Sequence, residues 1–132
     1  MKKRILAGLA ILLLASGAIA QGDGKSVALA WLQLVDAGSY AASWDQAAPF
    51  FQQQVSKSQW ESAVGSVRAP LGELISREVV SATAYTSLPG APDGEYIVLS
   101  INASYEGQES AIETVTMSIV DGVWRVVGYF IR

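Results

Sequence analysis

The sequence predicts an α+β fold, in which three to four N-terminal helices pack on one face of a curved four-stranded antiparallel meander. Three observations carry this expectation. Up to Pro70 the apolar residues recur at helical spacing. From Gly72 onward they alternate, as a strand requires. Between two of the strands, the run Leu88-Pro89-Gly90-Ala91-Pro92-Asp93-Gly94-Glu95-Tyr96 can continue neither a helix nor a central strand, so it reads as an ordered turn. Helices followed by strands, rather than the two in alternation, point to α+β.

The elements follow in order. Asp23 or Ser26 can cap a first helix that runs to about Ala37, where Gly38 supplies a left-handed stop. Val27, Trp31, Leu34 and Val35 share its apolar face. Ser39 can open a short second helix with Tyr40, Ala41 and Trp44, and Pro49 can open a third with Phe50 and Phe51. Ser56 and Gln59 form a capping box at the head of a fourth helix. Its stripe is Trp60, Ala63, Val64 and Val67, and Pro70 ends it, because the residue before proline avoids helical backbone.

Strict alternation puts Ile75, Arg77, Val79, Ser81, Thr83 and Tyr85 on one side of the first strand. The second strand, Glu95 to Tyr105, turns Ile97, Leu99, Ile101, Ala103 and Tyr105 to the core. Gly107-Gln108 is expected to turn into the third strand, Glu109 to Val120, and Asp121-Gly122 into the fourth. That last strand, Trp124 to Ile131, is apolar on both faces and should be central in the sheet or covered on both sides.

The chain opens with an export signal. Lys2-Lys3-Arg4 is followed by an apolar run and by Ala18-Ile19-Ala20, so cleavage is expected between Ala20 and Gln21. The apolar run is too short to span a bilayer, which needs about 20 residues, so no integral membrane span should remain after cleavage. Residues 1–20 are thus a signal peptide and residues 21–132 one α+β domain, periplasmic or secreted. The mature chain keeps 6 basic and 12 acidic residues, a net charge of −6. Such a surface repels phosphate backbones and argues against a nucleic-acid partner. The chain has no cysteine and no histidine. Disulfide staples, thiol chemistry and histidine-based acid–base catalysis are therefore excluded, and neither a metal site nor a cofactor is expected.

A group of residues resembles one known family: Trp31 with Asp36-Ala37-Gly38, Ser43-Trp44, Trp60, Arg68-Ala69-Pro70-Leu71-Gly72, Arg77, the Leu88 to Tyr96 run, Glu113-Thr114 and Gly128-Tyr129-Phe130-Ile131. It is the exported bacterial family termed domain of unknown function 4019, and the likeness covers essentially the whole mature chain. That family has no established activity, so the resemblance implies fold and location. The order of helices then meander is also similar to the nuclear transport factor 2-like superfamily, which implies a cone with a pocket between helices and sheet.

Glu113 is the charge of most interest, because it shares a strand face with Ala111, Val115, Met117 and Ile119. A carboxylate there is either ion-paired, with Arg77 the nearest candidate, or open to a pocket and fit to act as a base. Arg68 ends the fourth helix, where a cation suits the dipole, unless it turns into a pocket to hold an anion. Asp36 lies near the end of the first helix, where the dipole disfavours it, and a hydrogen bond from Tyr40 would explain its place. Tyr40, Trp44 and Trp60 could line a ligand pocket with Arg77 and Glu113, although aromatics in so small a domain are more often its core.

Two functions compete on this reading. The leading one is a non-catalytic module that binds a small apolar ligand or an envelope protein. The alternative is a small carboxylate- and tyrosine-based enzyme, isomerase-like, with Glu113 as base in a pocket between helices and sheet. A solvent-reachable Glu113 favours the enzyme, and a sealed one excludes that role. A homodimer through the outer face of the sheet is a third expectation, resting on exposure of Tyr96, Val98, Val126 and Phe130.

Overall fold

A computed structural model describes residues 24–132; the expected signal segment lies outside them. Helix α1 covers residues 24–36, followed by α2 (Tyr40–Asp45), α3 (Pro49–Gln54) and α4 (Lys57–Arg68), and a 3₁₀ turn spans Ala69–Leu71. Strands β1 (Leu74–Tyr85), β2 (Tyr96–Tyr105), β3 (Gln108–Val120) and β4 (Val123–Ile131) form one antiparallel sheet in the order β1-β2-β3-β4. The fold is α+β, with four helices followed by an open meander. None of the described helices is long and apolar enough to cross a membrane.

The local chemistry accounts for the helix boundaries. Gly38, at φ 78°, ends α1 in the left-handed region that side chains resist. Pro49 opens α3, where its missing N–H would lack a helical partner in any case. At the head of α4 the capping box is complete: Gln59 N–H donates to Ser56 Oγ at 3.2 Å, and Ser56 N–H donates to Gln59 Oε1 at 3.0 Å. Ser39 precedes α2 without a side-chain cap bond.

The helices cover one face of the sheet. The core gathers Trp31, Leu32 and Val35 of α1, Phe51 of α3 and Trp60 and Val64 of α4 over Leu99, Ile101, Val115 and Met117 of β2 and β3. Each such side chain removed from water contributes about 1.5–3 kcal/mol. In α4 the buried stripe is Trp60, Val64 and Arg68, whereas Val67 is 46% exposed. The expected stripe is thus rotated. Four-residue spacing from Trp60 turns Arg68 inward, and Val67 faces out.

Bulges correct the strict alternation assumed for two strands. In β1 the register shifts between Leu74 and Ser76 and again between Val79 and Ser81. Leu74, Arg77, Val79, Ala82 and Ala84 therefore pair with the inward residues of β2, while Ser81 and Thr83 pair with outward ones. In β4 a shift opposite Thr116 and Met117 brings Tyr129 and Ile131 to the inner face. This strand is an edge of the sheet, not central; Phe130 on its outer side is 56% exposed, whereas Val126, expected there, lies in the core at 1%, and Tyr96 of β2 is buried as well. Its double-sided apolar pattern comes from the bulge, which exchanges the faces midway.

The turns behave largely as expected. Asp121 and Gly122 both have positive φ, 52° and 78°, and set Val120 against Val123. The turn between β2 and β3 is Glu106-Gly107, one residue earlier than expected, with Tyr105 opposite Gln108. The Leu88 to Tyr96 run closes on itself: Ala91 N–H donates to Leu88 O, Gly94 N–H donates to Thr86 O, and the Tyr96 hydroxyl donates to Pro92 O.

Candidate functional site

Six side chains from six elements converge at one end of the sheet's inner face. Glu113 of β3 is their centre, at 0% exposure. Arg77 reaches it from β1: Nε donates to Oε1 at 2.6 Å and Nη2 to Oε2 at 3.1 Å. The first bulge of β1 keeps Arg77 on the inner face opposite Ala103. Tyr105, the last residue of β2, donates its hydroxyl to Glu113 Oε2 at 2.8 Å, and Tyr129 of β4 donates to the same oxygen at 2.6 Å. Both carboxylate oxygens are occupied.

The helices contribute a second carboxylate and a second cation. Asp36 is the last residue of α1, and its two oxygens accept from Arg77 Nη1 at 2.8 Å and Nη2 at 2.9 Å. Arg68 closes α4, and its Nη2 donates to Asp36 Oδ1 at 2.8 Å. Its Nε and Nη1 have no hydrogen-bond partner among the described residues, but the guanidinium lies over the Tyr105 ring, 4.9 Å from the centroid. Such a cation–π contact recovers part of the cost of burying the cation. Two arginines and two carboxylates make the cluster neutral, so it neither calls for a further anion nor repels the helices that cover it.

The electrostatics follow from this closure. Burial alone would raise the Asp36 pKa, but hydrogen bonds and charge from Arg77 and Arg68 outweigh it and hold the carboxyl below its usual range. Burial, together with the hydrogen bond to the Glu113 carboxylate and its charge, pushes the Tyr105 hydroxyl up to about 12. The same burial and the same carboxylate push Tyr129 further still. Burial opposes the charge on Arg77, yet its bonds to Asp36 and Glu113 raise its pKa above the ordinary value. The cluster is therefore a set of fixed charges and protonated phenols near neutral pH.

Glu113 and Arg77 thus meet as an ion pair, and Glu113 is sealed. The condition under which it could serve as a base in a pocket is not met. Asp36 finds its donors in Arg68 and Arg77, not in Tyr40 as the sequence suggested. Tyr40, Trp44 and Trp60 are not brought to Arg77 and Glu113 by any hydrogen bond. Trp60 is core: its Nε1 donates to Ser43 Oγ at 2.8 Å, and its ring packs 5.1 Å from Phe51 and 5.9 Å from Trp31. Trp44 is half-buried, donates to Val55 O at 2.8 Å, and has Lys57 Nζ 5.4 Å above its ring. Tyr40 packs at the margin of the same core. Among the described residues no group of three or more acidic, cysteine or histidine side chains could hold a metal ion.

Tyr105 and Tyr129 were missed as members of the cluster. Tyr105 was legible only as a core residue. Tyr129 was hidden by the β4 bulge, for which Gly128, an isolated glycine within a strand pattern, is the signal that sequence offers.

The opposite face of the sheet is different in kind. No described helix packs on it, and it carries a groove of about 910 Å³ crossing β1, β2 and β3. Ser76, Glu78, Asn102, Ser104, Ile112 and Arg132 are among the residues that line it, and Arg77 of the cluster borders it as well.

With cluster and groove defined, a family described as protein of unknown function (DUF4019) matches residues 27–129. The chain belongs to that family. The matched span contains all six members of the DUF4019 chain's cluster, from Asp36 to Tyr129. No curated protein matches it.

Proposed function

We propose that this DUF4019 chain is an exported, non-catalytic interaction domain that works through the outer face of its sheet. One observation carries the reading: Glu113, the centre of the inner face's neutral cluster, is sealed with both oxygens bonded, whereas the outer face has a groove and no described helix over it. The signal-like residues 1–20 support a working place in the periplasm or outside the cell. The groove sets hydroxyl, amide and charged groups within a largely apolar exposed surface, which suits a protein partner.

Native mass spectrometry of the protein purified from its own periplasm tests this. A processed chain beginning at Gln21 and carrying a partner or ligand is expected, and Asn102→Arg on the groove floor should release it. A chain that stays unprocessed in the cytoplasm, or a bound species indifferent to Asn102→Arg, overturns the reading.

A further inference from the structure

The outer face has a polarity of its own. The register places Glu78, Asn102, Ile112 and Arg132 in one row across the four strands, with Arg132 and Ile112 exchanging both backbone hydrogen bonds. The row begins with a carboxylate at the β1 edge and ends with a guanidinium at the β4 edge. Three strand spacings separate them, about 14 Å, so they cannot reach each other within one chain. Neither has an ion-pair partner among the described residues. The neighbouring row of Tyr85, Tyr96, Ser118 and Arg125 does not repeat this order, because Arg125 turns to the helix side, where its Nη1 donates to Gln46 O at 3.4 Å.

We infer that the occupant of the outer face is a second copy of this chain, related by a two-fold axis parallel to the strands in the plane between the two sheets. This rests on the outer face being the working surface. Such an axis sets each β1 over the partner's β4 while keeping every row at its own height. Glu78 then meets the partner's Arg132, and the contact occurs twice. Sheets packed in this aligned way stand about 10 Å apart, a gap that a glutamate and an arginine span together. Phe130, 56% exposed, comes over the small Ser81 and Thr83 side of the partner's β1. Four strands of about ten residues present a face of roughly 19 by 33 Å, which with side-chain relief approaches the ~800 Å² per partner of a specific interface. The isologous arrangement also explains why charges of opposite sign stand at opposite edges: a self-complementary surface needs them there.

Sedimentation velocity on the chain purified after export tests this, with circular dichroism to check each variant's fold. The wild type is expected to dimerise. Glu78→Arg alone and Arg132→Glu alone should each weaken the dimer about tenfold, since each puts like charges together twice. The double variant, with the charges exchanged, should restore it. A monomeric wild type overturns the inference, and so does a dimer insensitive to both reversals. If either reversal prevents folding, Phe130→Asp carries the same test, and a dimer it leaves at full strength overturns the axis. A complex with a different envelope protein, released by Asn102→Arg and formed by a monomeric chain, would overturn self-pairing and leave the outer-face reading standing.

Discussion

Replacing Arg77 with methionine removes the cation that joins both carboxylates of the cluster. Five hydrogen bonds disappear, two to Glu113, two to Asp36 and a longer one to the Tyr105 hydroxyl. Asp36 keeps Arg68 and is partly exposed, at 20% of its side chain, so most of its loss is recovered by water. Glu113 has no such relief at 0% exposure, and the two tyrosine hydroxyls donate hydrogen bonds but no charge. Leaving one member of a buried pair uncompensated costs about 3–5 kcal/mol. Against a total stability of about 5–15 kcal/mol, Arg77→Met should lower the urea midpoint of the protein sharply. The decisive comparison adds Glu113→Gln. If buried charge is the cause, the double variant is more stable than Arg77→Met alone, although it carries one substitution more. Urea titrations followed by tryptophan fluorescence measure both. A loss below about 1 kcal/mol for Arg77→Met, or a double variant weaker than the single, would refute the idea that Arg77 balances a sealed carboxylate.

Three further outcomes follow from the same geometry. On the alkaline side, Tyr105 and Tyr129 have raised folded pKa values, so their stabilisation is complete below the unfolded value of about 10 and is lost as pH rises beyond it. With two protons retained only in the folded state, stability should fall by about 2.7 kcal/mol per pH unit between pH 10 and 12, and Tyr129→Phe should halve the slope in urea titrations run across that range. On the acid side the sign reverses: the depressed Asp36 pKa gives stability present above about 3.8 and lost as pH falls through its lower folded value, a dependence that Asp36→Asn should remove from thermal melts taken in that range. Finally, a Cβ on Gly107 would stand 2.3 Å from Pro70 O, where only backbone could yield, so Gly107→Ala should cost about 3 kcal/mol in chemical denaturation, against about 1 kcal/mol for Gly90→Ala, whose φ is 78° but whose surroundings are open.

The fold was legible because local chemistry and burial agreed along most of the chain. Ser56 and Gln59 opened α4, Gly38 stopped α1, and Asp121-Gly122 fixed the last hairpin, each through a backbone requirement that few other residues meet, whereas before Pro70 the residue Ala69 stays helical and the chain tightens into a 3₁₀ turn. Glu113 and Arg77 were also readable, since a carboxylate within Ala111, Val115 and Met117 demands a partner and Arg77 shared a face with Val79. What escaped was parity. A bulge adds one unpaired residue and leaves the apolar pattern nearly unchanged, so nothing in the alternation of β1 disclosed that Ala82 and not Ser81 faces inward. The same shift in β4 concealed Tyr129. Asp36 was misread for another reason: its donors are 32 and 41 residues away in sequence, beyond any local rule.

The position of the cluster explains why a small domain would bury so many charges. Its members end α1, end α4, and stand on all four strands, so none of these six elements can slide without breaking a bond to another. Apolar contacts tolerate a shift of one residue far better, because they are non-directional. The core above it, from Trp31 to Met117, supplies the burial energy but little of this geometric restriction. Without cysteine the chain has no covalent staple to fix helix ends against strands. A paired and hydrogen-bonded charge network performs that positioning, at a cost in desolvation that its internal neutrality limits. By the same reasoning the network is a poor place for chemistry, since any group it released to a substrate would leave an opposite charge buried alone. The charges left free to recognise something are those on the other side of the sheet, Glu78 and Arg132 foremost, which the strand register holds in line across its face.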